Sequence, residues 1–92
     1  MLSFDRDDVG YLAWLDTNQD GFVVNSNRKP TANYLRLHRA TCTSISRTAA
    51  EPIRWTSGGY IKTCSVNISD LERWAREVTG GTLTPCGQCR PL

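Results

Sequence analysis

Near its end the chain reads Cys86-Gly87-Gln88-Cys89, and far upstream it reads His38-Arg39-Ala40-Thr41-Cys42. No other feature constrains the fold as much. Two residues between thiolates let both sulfurs reach one tetrahedral ion, and Gly87 lets the backbone fold beneath it. H-x3-C supplies a second pair of donors at the end of an expected strand. The two pairs together make the ligand count of a closed Cys3His structural zinc site. His38 is the only histidine among 92 residues. A fold that honours this pattern brings a strand end beside the C-terminal tail. A chain this short hides only about 60–70% of its unfolded surface, so a metal staple matters to its stability.

Cys64, the remaining cysteine, leaves the fourth ligand open. It ends an expected strand and is an alternative donor with His38 displaced. It is equally a packing residue, since free cysteine is among the most buried residue types. Pair spacing favours His38. As a ligand His38 must be neutral, so acid is expected to compete with the metal there first.

The longest uninterrupted apolar run, Tyr11–Leu15, has five residues, far short of the ~20 that a membrane helix needs. Met1 to Asp8 is acidic and lacks the basic start and apolar stretch of a secretory signal. A cytoplasmic location is therefore expected, where thiols stay reduced and paired cysteines read first as metal ligands.

Hydrophobic periodicity places the elements. Ser3 or Asp5 is the expected cap of a first helix, with Val9, Leu12 and Ala13 on one side and Tyr11 and Leu15 on the other. Asp16 to Gly21 ends it with turn formers. Phe22 to Asn25 and the strictly alternating Tyr34 to Arg39 predict a hairpin with a long connection. Residues 43–59 lack a period and read as loop, with Arg54-Trp55-Thr56 a candidate strand. Gly59 to Ser65 is a third strand. Asn67 or Ser69 caps a second helix whose Leu71, Trp74, Ala75 and Val78 fall at i, i+3, i+4 and i+7. Gly80-Gly81 stops it, and Pro85 to Pro91 is expected to be a turn with no secondary structure of its own.

Charge is divided unevenly. Residues 1–20 carry five aspartates against Arg6, whereas ten basic residues against Glu51, Asp70, Glu72 and Glu77 leave +6 over residues 21–92. Nine of the eleven basic residues are arginine, whose planar fork grips phosphate with paired hydrogen bonds. An anionic partner, nucleic acid above all, fits this balance; an ordinary solvated surface on an arginine-rich chain fits it as well. The candidate phosphate contacts are Arg28, Lys29, Arg36, Arg39, Arg47 and Arg90, which flank the hairpin and the metal residues.

Other chemistry is thin. Asp16 to Val23 matches the first eight positions of a calcium loop, but Asn27 stands where its bidentate Glu belongs, and a turn into the first strand is the better reading. No P-loop, dinucleotide-binding glycine motif, nucleophile elbow or H-E-x-x-H occurs. With His38 held as a ligand, no general base remains for Ser or Cys. Trp14 and Trp74 read as core. Trp55, beside Arg54 in a loop, is the one tryptophan that reads as a candidate base-stacking residue.

Residues 34–91, with H-x3-C, a helix, and then Gly81 leading to Pro85-Cys86-Gly87-Gln88-Cys89-Arg90-Pro91, resemble the Ada metal-binding family. The resemblance implies zinc ligation by Cys42, Cys86 and Cys89, with His38 in the position of the first cysteine, and an association with DNA. In repair members of the family that first cysteine accepts a methyl group. Imidazole on zinc is a far poorer acceptor, so the resemblance does not imply that activity here.

The sequence thus predicts one zinc-stabilised α+β domain over residues 1–92. Residues 1–20 form the N-terminal helix, and residues 21–92 form an Ada-like zinc module. That module holds a three-stranded antiparallel sheet and a C-terminal helix that delivers the C-x-x-C turn. The expected function is a non-enzymatic Zn2+-binding module associated with DNA. The alternative is a structural zinc domain for protein interaction or homodimerisation, docking through large apolar groups of the first helix such as Tyr11 and Leu15.

Overall fold

The computed structural model describes residues 1–46 and 54–92; Arg47 lies outside the described residues. In chain order the elements are β1 (Leu2–Phe4), α1 (Asp8–Thr17), β2 (Phe22–Asn27), β3 (Leu35–Arg39), α2 (Thr43–Ser46), β4 (Tyr60–Ser65), α3 (Ile68–Thr79) and β5 (Thr84–Pro85). They build one mixed sheet in the order β1-β4-β2-β3-β5. The expected hairpin is β2–β3, with Val23 opposite His38 and Val24 opposite Leu37. The third expected strand, β4, joins the other side of β2.

The sheet is larger than the three antiparallel strands expected. β1 adds to β4 in antiparallel register. β5 adds to β3 in parallel, with Thr84 beside Arg36 and Pro85 beside Leu37. Neither edge strand carries an alternating pattern long enough to be read in advance, because each is only two or three residues long. Ser3, an expected helix cap, lies in β1. Asp7 caps α1 instead, its side chain accepting from the Gly10 N–H. The Arg54-Trp55-Thr56 segment is not a strand, whereas α2 arises inside the stretch expected to be loop.

Side chains alternate across a strand, so β2 presents Val23 to one face and Val24 to the other. On the Val24 face, Leu35, Leu37 and Val24 receive Leu71 and Ala75 of α3, with Ile68, Trp74 and Leu83 at the margin. Asn67 caps α3, and Gly80 closes it in the left-handed region at φ 71°. The apolar stripe of α3 holds except at its end, where Val78 is exposed.

On the Val23 face, α1 packs by Tyr11 and Leu15 among Phe4, Trp55, Ile45 and Cys64. Tyr11 is fully buried, whereas Val9 is 83% exposed. The two residues named as a candidate docking patch are therefore the helix's core contacts. The helix is apolar nearly all round, so its pattern could not decide which side the sheet would cover. Trp55 is also core rather than exposed loop; it is buried and lies 6.4 Å from the Tyr11 ring. The calcium-like stretch resolves as helix end, turn and strand, since β2 takes Phe22–Asn27.

Candidate metal centre

His38, Cys42, Cys86 and Cys89 come together at one edge of the sheet, their donor atoms all within 4.8 Å of one another. Each arrives by a different local device. His38 is the fourth residue of β3 and shares a face with Val23. Just past the end of β3, the Cys42 N–H donates to Arg39 O at 3.0 Å. α2 follows directly, with Ser46 Oγ donating to Cys42 O at 2.7 Å. Cys86 is seated by β5, its N–H donating to Leu37 O at 2.8 Å. Cys89 closes the turn, in which the Arg90 N–H donates to Cys86 O at 3.0 Å.

Hydrogen bonds outside the donor set hold it. Ser44 Oγ lies 3.0 Å from Cys42 Sγ and 3.4 Å from His38 Nδ1. The Arg39 N–H points to Cys89 Sγ at 3.3 Å. Gln88 Nε2 donates to Thr43 Oγ1 at 2.7 Å, tying the C-x-x-C turn to the Cys42 turn. Arg39 Nε and Nη2 donate to the carbonyls of Cys89 and Arg90, each at 3.1 Å.

The electrostatics favour metal-ready donors at two positions. Burial, with the cations Lys62 and Arg36 adding to it, lowers the His38 pKa to about 4, so the imidazole keeps its lone pair through mild acid. Burial acts to raise Cys86, but N–H groups of Cys89 and Gln88 outweigh it and hold its thiol below the ordinary value. Burial raises Cys89 to about 11, with the neighbouring thiols adding to it.

Strand register settles Cys64. It stands opposite Val23 on β4, and Val23 stands opposite His38 on β3. Two strand spacings, about 10 Å, separate Cys64 from His38 with Val23 between them. Cys64 is fully buried, and that burial pushes its thiol up to about 12. It is a packing residue beneath α1.

A tetrahedral ion with metal–sulfur bonds near 2.3 Å holds its donors about 3.8 Å apart. The cluster needs to contract by only about 1 Å to reach that spacing. One imidazole and three thiols, mostly buried and held by outer hydrogen bonds, are compatible with a bound metal ion.

The expected phosphate contacts divide. Lys29 and Arg90 are exposed and Arg36 is half-buried, with one long contact from Arg36 Nη1 to Pro85 O at 3.5 Å. Arg28 is engaged within the chain. It pairs with Asp5 and donates to Thr56 O at 3.2 Å and Gly58 O at 2.5 Å. Arg39 clamps the metal turn, as above. Their charge remains, but their forks hold loops, which a basic-residue count cannot reveal. The sequence reading also missed Ser44 and Gln88. Each lies within two residues of a ligand, and that adjacency was the available signal.

The fold and this cluster define a small α+β protein with a His/Cys centre compatible with a metal ion. Comparison with known proteins finds no matching family model, no matching curated protein and no matching solved structure. Among the described residues, no helix is long and apolar enough to cross a membrane.

Proposed function

We propose that this chain is a non-enzymatic, cytoplasmic zinc module that associates with nucleic acid, DNA in the first instance. The observation that carries the zinc reading is the gathering of His38, Cys42, Cys86 and Cys89 within 4.8 Å. Three thiols and an imidazole suit zinc, and four protein donors would fill its tetrahedron with no position for water or substrate. That supports a structural rather than a catalytic ion. Zinc would fasten β3 and α2 to the tail, so much of its binding free energy would be folding free energy, on the order of 10 kcal/mol.

The nucleic-acid half is supported by the +6 charge of residues 21–92 and by the resemblance of residues 34–91 to the Ada metal-binding family. Lys29, Arg36 and Arg90 are its accessible contacts. Docking of a protein or a second copy on α1 is the weaker reading, because Tyr11 and Leu15 are buried.

Elemental analysis of purified protein is expected to give one zinc per chain. Chelator, Cys86→Ser or Cys89→Ser should collapse the amide spectrum over much of residues 34–92. Metal-free protein with an unchanged folded spectrum refutes the zinc reading. Titration with labelled DNA at two salt concentrations tests the second half. Binding that weakens steeply with salt supports it; no binding at low salt refutes it.

A further inference from the structure

The Val23 face of the sheet is covered unevenly. α1 lies over Phe4, Val23 and Cys64, and the metal residues gather around His38. At the other end of the same face, β2 and β4 bring up Asn27 and Tyr60, with Asn25, Lys62 and Arg36 in the next row, and Tyr34 stands just ahead of β3. The alternation is confirmed by contact. Lys62 Nζ donates to Asn25 Oδ1 at 2.7 Å, Asn25 Nδ2 donates to Tyr34 Oη at 3.0 Å, and the Tyr34 and Tyr60 rings lie 5.6 Å apart.

This end of the face has the composition of a binding surface. Tyr60 is 47% exposed, while Tyr34 and Arg36 are half-buried, which holds their orientation. The Tyr34 ring, its hydroxyl held by Asn25, braces one side of the Tyr60 ring at an interplanar angle of 55°. An aromatic ring that is rigid on one side and open on the other is what a base needs for stacking. Lys29 lies in the β2–β3 connection, and next to it the Arg28 N–H donates to Gly59 O at 3.2 Å, which places that connection beside Tyr60. Among the described residues, no carboxylate stands among the strand residues of this end; Asp5, at the margin, is already paired with Arg28, and Asp8 faces the buried Lys62. Aromatic faces, amide side chains and the positive charge of Lys29 and Arg36 together match a single strand, whose unstacked bases can reach a flat sheet. A duplex keeps its bases stacked inside and offers Tyr60 nothing to pair with.

We propose that this end of the sheet is a single-stranded nucleic-acid site, in which a base stacks on Tyr60 and Lys29 and Arg36 meet the phosphates. It rests on the nucleic-acid half of the function proposed above and narrows it to an unpaired strand on a defined surface.

The test uses the full zinc-loaded chain with a labelled 12-nucleotide mixed-sequence DNA strand and the corresponding duplex, titrated at two salt concentrations. The single strand is expected to bind more tightly than the duplex. Tyr60→Ala should weaken single-strand binding by roughly 5- to 100-fold, the loss of about one stacked base, without changing the salt slope. Tyr60→Phe should bind like the parent. Lys29→Ala should weaken binding and flatten the salt slope. Tyr60 is exposed, so its variants are expected to keep the parent spectrum, and matching amide spectra confirm that the fold is intact. Duplex preference, or a Tyr60→Ala variant that binds like the parent, overturns the stacking site and leaves the broader nucleic-acid reading standing. No binding of either form at low salt overturns both.

Discussion

Tyr11 of α1 donates its hydroxyl hydrogen to the carbonyl of Ile45 in α2 at 2.6 Å, in the buried interior of the protein. The N-terminal helix thereby holds the turn that carries Cys42. Tyr11→Phe keeps the ring packing and removes only this bond, leaving a buried carbonyl unpaired. The expected loss is about 1–3 kcal/mol in chemical denaturation, together with weaker metal retention against a competing chelator. Unchanged stability and retention would show that α2 needs no support from α1.

His38 and Cys64 sit on the same face two strands apart, and their variants should behave differently. His38→Ala should weaken metal binding by more than the ~10–100-fold typical of an outer-sphere partner, and His38→Cys should preserve it. Cys64→Ala should leave metal affinity unchanged while costing about 1 kcal/mol of stability through a small cavity. Competition titration with a chromophoric chelator separates the cases. Metal loss from the Cys64 variant with full retention by His38→Ala would reverse the ligand assignment.

Arg90 follows the C-x-x-C turn at φ 48°, in the left-handed region. A non-glycine residue there costs about 1–2 kcal/mol. The contact that fixes this turn reaches the Arg90 carbonyl from Arg39 and needs no Arg90 side chain. Arg90→Gly should therefore raise stability by up to about 1 kcal/mol, some of the gain being offset by greater freedom in the unfolded chain. Arg39→Ala should do the opposite and loosen the tail. Denaturation midpoints of the two variants check both directions.

Asp8 of α1 holds the Trp55-Thr56 segment. Its carboxylate accepts from the Thr56 N–H at 2.7 Å and the Trp55 N–H at 3.2 Å. Burial acts to raise its carboxyl, but these donors and the Thr56 hydroxyl together lower it below 3.8. The folded chain therefore keeps the carboxylate charged to lower pH than the unfolded chain does, so this stabilisation is fully present at pH 7 and is lost only as pH falls below that value. Asp8→Asn should lower the denaturation midpoint of the zinc-loaded chain at pH 7, and an unchanged midpoint would show that these bonds add nothing to stability.

Local spacing in the sequence determined a good deal. The stripe Leu71, Trp74, Ala75, the caps Asn67 and Gly80, the alternation of β3 and the pairs H-x3-C and C-x-x-C were all legible, because each depends on the geometry of one turn, one helix or one strand. Only the tertiary structure decided which residues those pieces meet. α1 offers apolar groups on every side, and the shape of the sheet face selected Tyr11 and Leu15. Cys64 and His38 each follow a strand pattern, and register alone put Val23 between them. Arg28 and Arg39 look like any other basic residues until distant carbonyls, at Gly58 and at Cys89, arrive within reach of their forks. Such choices rest on contacts between segments tens of residues apart, and no local period encodes them.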